Sequence, residues 1–287
     1  MFETSPSPYL VPFDGSFRVD ETPTRIADGE GSAKKRLKKR VKKLAKLQRV
    51  LYAHNRYAVL LVFQAMDAAG KDSTIRAVLS GVNPAGCQVF SFGRPSSTEL
   101  DHDFLWRTTR VLPERGRIGV FNRSQYEEVL VVRVHPDILD NQRLPGAIDQ
   151  HGLWNQRLES IADQEKHLAR NGTVIMKFWL NVSREEQRQR FLDRLTEEDK
   201  NWKFEPHDVR ERQHWDDYMA AYEAALNATS RPWAPWYAIP ADDKKEMRAA
   251  VAGIIVDNLR SLNLHFPVAG AAEASTFEQM QSMLESE

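Results

Sequence analysis

Residues 63–75 have the sequence FQAMDAAGKDSTI, and this stretch decides the fold of the chain. It follows the apolar run Ala58–Phe63, which is typical of a buried parallel strand. It leads into Asp72–Ser80, where apolar residues recur at helical spacing. A strand, a Gly-Lys turn and a helix form the setting of a phosphate-binding loop, whose backbone N–H groups surround an anion. The sequence therefore predicts a loop that holds phosphate groups.

The loop departs from the usual phosphate-binding pattern at two positions. Ala65 stands where the first glycine is expected, and a methyl group is tolerated there if φ is negative. Asp72 follows Lys71 directly, in the place of the usual hydroxyl residue. The hydroxyl role would then pass to Ser73 or Thr74, with a shifted register. An ordinary Gly-Lys turn before a helix is the alternative interpretation.

Asp67 places a carboxylate inside the loop. A carboxylate about 4 Å from a phosphate costs about 4 kcal/mol at an effective dielectric constant near 20. A divalent cation between the two groups would offset this repulsion, and so would a substrate proton that the carboxylate accepts. We therefore predict Mg²⁺-dependent phosphoryl transfer, with Asp67 as the metal ligand.

Strand-like and helix-like segments alternate along the chain. Four further apolar runs are predicted strands: Cys87–Phe92, Arg117–Phe121, Thr173–Asn181 and Trp236–Ile239. The other helical patterns are Ala33–His54, Glu99–Arg110, Gln125–Arg133, Asp149–Arg170, Arg184–Leu195, Pro206–Ala228 and Asp242–Leu262. This alternation predicts a three-layer α/β/α fold of the α/β class, with a mainly parallel five-stranded sheet.

Composition divides the chain into three parts. Residues 1–32 are rich in Pro, Ser, Thr and Gly and are predicted to form an extended N-terminal arm. Residues 33–262 form the predicted kinase-like domain, with a helical lid at about 196–215. Residues 263–287 are predicted to be a loosely attached tail with one short helix.

Polar residues follow the third predicted strand. Asn122 and Arg123 come at its end, and Glu127 lies one helical turn further on. Carboxyl ends of parallel strands face the ligand crevice, so these side chains are expected near Lys71. Arg123 is suited to stabilising charge on a departing phosphoryl group. Glu127 would bind a ribose, a base or metal-bound water, or would only pair with Arg123.

A cationic segment with interspersed aromatic residues follows the fourth predicted strand. It runs from Arg190 through Arg194, Lys200, Lys203 and Arg210. This pattern is typical of a kinase lid, which closes over phosphates and excludes water. A solvated helix with ion pairs is the alternative. These cations, together with an arginine such as Arg133, would also provide a track for a long polyanion.

Ten basic residues and no acidic residue lie between Lys34 and Arg49. Apolar residues at helical spacing show that one side of this predicted helix packs on the protein. The cationic side is either merely solvated or binds a polyanion. We do not expect nucleic-acid binding, because no recognised nucleic-acid motif accompanies the run.

The remaining composition indicates the class of protein. Lys+Arg and Asp+Glu are both 40, so net charge identifies no partner. The single cysteine, Cys87, fits a reducing compartment, and no signal pattern or membrane-spanning apolar run is present. We therefore expect a cytoplasmic protein with no membrane partner.

Together these motifs resemble the family-2 polyphosphate kinases. The matching pieces occur in family order over roughly residues 35–262: AMDAAGKDSTI, SGVNPAG, HDFLWR, GVFNRSQYEEVLVVRVHP, RFLDRLTEEDKNWKF and ERQHWDDYMAAYEAAL. The resemblance implies a P-loop kinase fold and reversible, Mg²⁺-dependent transfer of a phosphoryl group from inorganic polyphosphate to AMP or ADP. Asn122, with the Tyr126-Glu127 pair, resembles the subgroup acting on both nucleotides, whereas Glu128 stands where that subgroup has Asp.

The resemblance and the residue patterns together assign the site. The predicted catalytic residues are Asp67, Lys71 and Arg123. The predicted phosphate and polyphosphate ligands are Ala68, Ala69, Gly70, Lys71, Asp72, Ser73, Arg123, Arg133, Lys200, Lys203 and Arg210. The predicted nucleotide ligands are Asn122, Glu127, Arg190 and Arg194.

Several functional alternatives stay open at the level of the sequence. The acceptor would be an adenine nucleotide, with guanine nucleotides as the alternative, and the family resemblance suggests a homo-oligomer, either a dimer or a tetramer. An ATP-dependent kinase for a nucleotide or another small acceptor would use the same loop. A non-enzymatic polyanion-binding module would need only the basic helix.

Overall fold

A single five-stranded sheet forms the centre of the fold. The computed structural model describes residues 2–27, 31–145 and 149–287. All neighbouring strands are parallel, in the order β2-β3-β1-β4-β5. The strands are β1 Ala58–Gln64, β2 Cys87–Ser91, β3 Ile118–Asn122, β4 Thr173–Asn181 and β5 Trp236–Pro240. The five predicted strands are therefore confirmed, each within about one residue of its predicted ends.

The burial of each strand explains its sequence. Every residue of β1 and β4 is buried, which accounts for their mainly apolar character; the buried Lys177 of β4 is paired with Glu165 at 2.5 Å. β2 lies at one edge, and Val89 in its middle is exposed. In the central pairs Val59 is in register with Ile118 and Val174, so β1, β3 and β4 end close together. The loop after β1 and the cluster after β3 therefore meet at the same edge of the sheet.

Helices cover both faces of the sheet. α1, α2 and α10 pack together in one layer, and α5, α6 and α9 in the other. The helices are α1 Ala33–His54, α2 Lys71–Leu79, α3 Ser97–Leu100, α4 Trp106–Thr109, α5 Val131–Val134, α6 Gln150–Arg170, α7 Arg184–Thr196, α8 Pro206–Glu211, α9 Trp215–Thr229, α10 Lys244–Arg260 and α11 Ala271–Glu285. This is the predicted three-layer α/β/α arrangement.

Three predicted helices are interrupted in the structure, so those predictions were wrong in detail. The segment predicted as Glu99–Arg110 forms α3 and α4, because the Asp103 side chain accepts a hydrogen bond from the Leu105 N–H and begins a new turn. The segment predicted as Gln125–Arg133 is a 3₁₀ helix followed by α5. Pro206–Ala228 is divided by a 3₁₀ turn into α8 and α9.

The N-terminal arm packs along β5, the edge strand opposite β2. Leu10 pairs with Tyr237 in an antiparallel bridge, the Val11 N–H donates to the Trp236 carbonyl over 2.9 Å, and the Ala238 N–H donates to the Tyr9 carbonyl over 2.8 Å. Val11 is fully buried. The arm thus covers hydrogen-bonding groups of an edge that would otherwise be open to another strand.

The described helices include none that combines the length and the apolar character needed to cross a membrane. The C-terminal helix α11 is longer than the short helix predicted for the tail, and the side chains described on it are exposed.

Candidate active site

The loop between β1 and α2 has the backbone of an anion cradle. Gly70 has φ 105°, a conformation that favours glycine, and α2 begins at the next residue. Ala68 also has a positive φ, 61°, which is uncommon for a residue with a Cβ. Ala65 is not among the positive-φ residues, as its substitution for glycine requires. The strain at Ala68 is held by the surrounding structure and marks the loop as functional.

Lys71 lies under this loop and is only 9% exposed. Its Nζ donates to the carbonyl of Ala65 over 2.7 Å and to that of Met66 over 3.4 Å. Burial lowers the pKa of the Lys71 ammonium, and the nearby Arg123 lowers it further, whereas Asp67 acts in the opposite direction. Because the ammonium is poorly solvated, an arriving phosphate would be a strong partner for it.

Of the two candidate hydroxyl residues, only Ser73 faces the cleft. Its Oγ donates to the Gly70 carbonyl over 3.0 Å. Thr74 is fully buried, and its nearest polar partner is the sulfur of Met247 at 3.9 Å. The hydroxyl role is therefore geometrically open to Ser73.

The end of β3 lies beside the loop helix. The Asn122 Nδ2 donates to Asp72 Oδ1 over 2.6 Å and to Ser91 Oγ over 3.2 Å. The Asn122 Oδ1 is buried and has no hydrogen-bond partner among the described residues. Asn122 thus ties the ends of β2, β3 and α2 together, while one acceptor stays unsatisfied.

Asp67, Arg123 and Glu127 form a chain of ion pairs. Arg123 NH2 lies 2.8 Å from Asp67 Oδ1, and Arg123 NH1 lies 3.2 Å from Glu127 Oε2. Arg123 has φ 64°, so this arrangement is held against local backbone preference. Glu127 above all raises the pKa of the Arg123 guanidinium; burial opposes this and Asp67 adds to it. Arg123 is thus brought from a distant part of the sequence to Asp67 and Lys71.

The predicted lid is joined to α7 by an ion pair beside the same cluster. Arg194 on α7 lies 3.3 Å from Asp208 on α8. Burial raises the pKa of the Asp208 carboxyl, and the nearby Asp67 raises it further, against the effect of Arg194. Asp208 therefore adds a second carboxylate near Asp67. It was not among the site residues predicted from the sequence, although it stands within the predicted lid.

Arg190 uses all of its donors on the protein. NH1 donates to the carbonyls of Ala68 and Ala69, over 3.1 and 2.7 Å. NH2 donates to the carbonyls of Ala241 and Asp242, over 2.7 and 3.1 Å, and Nε donates to Glu186 over 2.8 Å. A guanidinium has five N–H donors, so none is left for a nucleotide in this arrangement. The observed contacts hold the phosphate loop against the end of β5.

A cleft of about 330 Å³ lies over the loop. Of the predicted site residues, it brings together Asp67, Ala68, Gly70, Lys71, Asp72, Ser73, Asn122, Arg123, Arg190 and Arg194. Ala69 is fully buried beneath it. Three cations that were not predicted from the sequence also line the cleft: Arg76, Lys244 and Arg248. Arg76 lies one turn beyond Asp72 on α2, and that spacing was a usable signal.

The other predicted phosphate ligands do not line this cleft. Arg133 is partly buried on α5, where burial lowers its pKa. Arg210 is exposed on α8. The side chains of Lys200 and Lys203 lie outside the described part of the chain, so their predicted contacts stay predictions.

The described residues contain no group of three or more His, Cys, Asp or Glu side chains arranged to hold a metal ion. The charge of Asp67 contributes to the raised pKa of Asp208, and Glu127 lies across Arg123 from Asp67, so Asp67 has two neighbouring carboxylates. Mg²⁺ is commonly held by one or two carboxylates together with substrate phosphates and water, so this donor set fits such a site.

Comparison with known proteins gives a consistent result. Residues 28–267 match the family model described as polyphosphate kinase 2. An ADP-polyphosphate phosphotransferase of Rhodopseudomonas palustris is 57% identical over 249 residues, 86% of this chain and 86% of that protein. An AMP/ADP-polyphosphate phosphotransferase of Meiothermus ruber is 43% identical over 264 residues, 90% of this chain and 94% of that protein.

The fold agrees as well. The crystal structure of polyphosphate kinase 2 from Arthrobacter aurescens TC1 superposes with a TM-score of 0.85 at 35% sequence identity, covering 96% of this chain and 98% of that one. The P-loop kinase fold predicted from the sequence is therefore confirmed. The chain belongs to the polyphosphate kinase 2 family.

Proposed function

We propose that this protein transfers a phosphoryl group from inorganic polyphosphate to a nucleoside mono- or diphosphate, converting AMP to ADP and ADP to ATP. The observation that carries the proposal is the joint placement of Lys71, Asp67 and Arg123 around a phosphate loop in a chain of this family. Exchange between two phosphoanhydrides needs alignment and charge neutralisation, and these residue types supply both. The reaction is close to balanced in energy, which supports the predicted reversibility.

The individual roles follow from the contacts. Backbone N–H groups of the loop and the start of α2 receive phosphate oxygens, and Lys71 leaves the loop carbonyls to follow the transferred group. Arg123 exchanges a carboxylate partner for the phosphoryl oxygens as negative charge develops on them. Asn122 and Glu127 are placed to orient the acceptor nucleotide.

Asp67 is the proposed Mg²⁺ ligand, with Asp208 and Glu127 as neighbouring carboxylates. When bound, Mg²⁺ would reduce the repulsion between Asp67 and the phosphates and neutralise charge on the transferred group. Asp67 is engaged by Arg123 in this structure, so metal binding and release of Arg123 toward substrate are coupled.

Arg190 is better interpreted as a positioning residue than as the nucleotide ligand predicted from the sequence. Four of its five donors join two loop carbonyls to the segment after β5. Arg194, which is paired with Asp208 in the lid, keeps its predicted role beside the nucleotide.

Two acceptor preferences are compatible with the family. The predicted use of both AMP and ADP is supported by the similarity to the Meiothermus ruber protein, which bears both nucleotides in its name. A second candidate is a protein specific for ADP, favoured by the higher identity to the Rhodopseudomonas palustris protein. Initial rates with AMP and with ADP, at one polyphosphate concentration, decide between them.

The proposed function is tested by incubating the protein with polyphosphate, Mg²⁺ and AMP or ADP, without ATP. We expect ADP or ATP to appear, detected by chromatography, and to disappear when Mg²⁺ is chelated. Phosphorylation that occurs only with ATP as donor would favour the ATP-dependent kinase instead. The predicted cytoplasmic location, homo-oligomeric state and lack of nucleic-acid binding stay predictions, as do the boundaries of the arm, lid and tail.

A further inference from the structure

The short helix α8 of the predicted lid ends in a buried carboxylate. Glu211 is the last residue of α8 and is only 8% exposed, whereas most other side chains of this helix are exposed. Glu211 does not line the cleft over the phosphate loop. A carboxylate is costly to bury unless hydrogen bonds compensate it. Its position away from the cleft therefore needs a reason other than direct contact with a substrate.

Two other parts of the fold hold the Glu211 side chain. The Tyr218 hydroxyl, on α9, donates to Glu211 Oε2 over 2.7 Å. The Nε2 of His135, which directly follows α5, lies 2.8 Å from the same oxygen, and it must carry the proton because a carboxylate only accepts. His207, one turn earlier on α8, lies 3.4 Å from Oε1. The contact of Glu211 with His135 and Tyr218, here called the Glu211 contact, thus joins α8 to α9 and to the end of α5.

The Glu211 contact is made by a charged acceptor. Burial acts to raise the pKa of the Glu211 carboxyl, but the hydrogen bonds from Tyr218 and His135 outweigh it, so that pKa lies below its ordinary value. Burial raises the pKa of the Tyr218 phenol, and Glu211 raises it further, so the phenol keeps the proton that it donates. Hydrogen bonds to an ionised acceptor are about twice as strong as neutral ones. Such bonds can fix a helix of six residues, which is too short to be stable by itself.

The position of α8 matters to the cleft because of Asp208. Asp208 lies three residues before Glu211 on the same helix, so the two side chains move together. Its carboxylate lies 3.3 Å from Arg194, which lines the cleft from α7. A displacement of α8 would therefore withdraw the carboxylate that orients Arg194.

We propose that Glu211 is a positioning residue of the lid, which holds α8 through His135 and Tyr218 so that Asp208 keeps Arg194 in the cleft. This inference rests on the proposed function and deepens it, because Arg194 is the proposed nucleotide contact. Loss of the Glu211 contact should weaken the binding of the nucleotide and leave the binding of polyphosphate unchanged.

The kinetic test removes one donor of the Glu211 contact at a time. Tyr218→Phe loses the hydroxyl, His135→Ala loses the imidazole, and His135→Gln keeps an N–H donor near the position of Nε2. We expect the KM for ADP to rise about fivefold in the first two variants, with kcat and the KM for polyphosphate within about twofold of the parent. His135→Gln should recover most of the loss. Glu205→Gln, an exposed carboxylate at the start of α8, is the matched control and should match the parent.

A thermal measurement separates positioning from a contribution to stability alone. Loss of one hydrogen bond in Tyr218→Phe should lower the Tm by only about 3 °C, so the variant stays folded at 25 °C. A contact that served stability alone would lower the Tm and leave the KM for ADP of the folded variant unchanged. That result would overturn the inference.

Two measurements without turnover keep the inference separate from the proposed function. A calorimetric titration with ADP should show about fivefold weaker binding in Tyr218→Phe, and hydrogen exchange of the amides in residues 206–211 should be faster than in the parent. If the parent makes no ADP or ATP from polyphosphate, the proposed function fails, and these measurements still decide the role of Glu211. Parental affinity for ADP in Tyr218→Phe would contradict that role, and so would parental exchange rates in α8.

Discussion

The two ends of the phosphate cleft carry opposite arrangements of charge. At the β3 end Arg123 is paired with both Asp67 and Glu127. At the α10 end Arg76 and Arg248 have no carboxylate partner within the described residues. The positive charge of arginine is therefore neutralised by carboxylates on one side of the loop and is not neutralised on the other.

This difference separates two kinds of binding. At the paired end a substrate or metal ion must displace an existing ion pair, so binding there is coupled to rearrangement. At the uncompensated end a polyanion gains contacts without breaking any. The phosphate loop, with Lys71 beneath it, lies between the two ends, and we propose that it receives the transferred phosphoryl group.

The largest expected effect is that of Lys71→Ala, at the junction of the two ends. It should lower kcat by about a thousandfold, because a buried cation at the transferred group is lost. The fold should remain intact, since Lys71 is already poorly solvated and bonds only to two loop carbonyls. Rate assays and circular dichroism measure both, with Lys245→Ala as the control. Turnover retained in the folded variant would refute the role of Lys71.

Asp67→Asn tests the paired end. The expected result is a fall in kcat of about a hundredfold and a higher Mg²⁺ requirement, because the amide is a weaker metal ligand. Stability should change by only about 0.5 kcal/mol, because Asp67 and Arg123 are 29% and 37% exposed and solvent screens the pair. Mg²⁺ titrations of the initial rate measure the requirement. Asp193→Asn, a carboxylate lining the cleft from α7, is the control; an equal effect there would show that Asp67 has no special role.

Arg190→Lys tests the hydrogen bonds that join the phosphate loop to the segment after β5. Lysine keeps the charge but loses the planar fork, so some carbonyls of Ala68, Ala69, Ala241 and Asp242 lose their partner. We expect a loss of about 2 kcal/mol in the free energy of unfolding and about a tenfold lower kcat. Denaturant titration and rate assays measure these. A variant with parental stability and a raised nucleotide KM would instead support the nucleotide contact predicted from the sequence.

The smallest expected effect is a shift in the alkaline limit of activity. Burial lowers the pKa of Lys71, so its ammonium group loses its proton at a pH below the ordinary value of 10.5. Accordingly kcat/KM should decline at a pH below that value. The limit in kcat should lie at higher pH, because bound phosphate favours the ammonium. The lowered pKa of Lys71 also affects stability. Just below pH 10.5 the unfolded chain keeps a proton on Lys71 that the folded chain has released, so the free energy of unfolding increases as the pH rises toward 10.5.

A pH profile whose limits in kcat/KM and kcat coincide would contradict this assignment. It would indicate that Lys71 meets no phosphate in the bound state.

The sheet was predictable because its signals are local. A continuous apolar run such as that of β1 has few alternatives to a buried strand, and Gly70 with Lys71 fixes the turn between strand and helix. Asp67 could be singled out because an acidic side chain is unusual in a phosphate loop, and it lines the cleft in the structure.

Other features depend on tertiary structure that no local pattern encodes. Arg248 is far from the loop in sequence and reaches it only because α10 packs beside α2. Arg190 was predicted as a nucleotide ligand, since nothing in its sequence context shows that the end of β5 satisfies its donors. The positive φ of Ala68 could not be predicted either, because glycine is the residue that usually indicates that conformation in a sequence.

The most direct measurement is a crystal structure of the protein with long-chain polyphosphate and Mg²⁺. It should show Asp67 released from Arg123, with the cation between the Asp67 carboxylate and a phosphate oxygen. The chain should pass over Lys71 and continue to Arg248. A structure in which Asp67 and Arg123 stay paired, with the phosphates bound away from Arg76 and Arg248, would contradict the account.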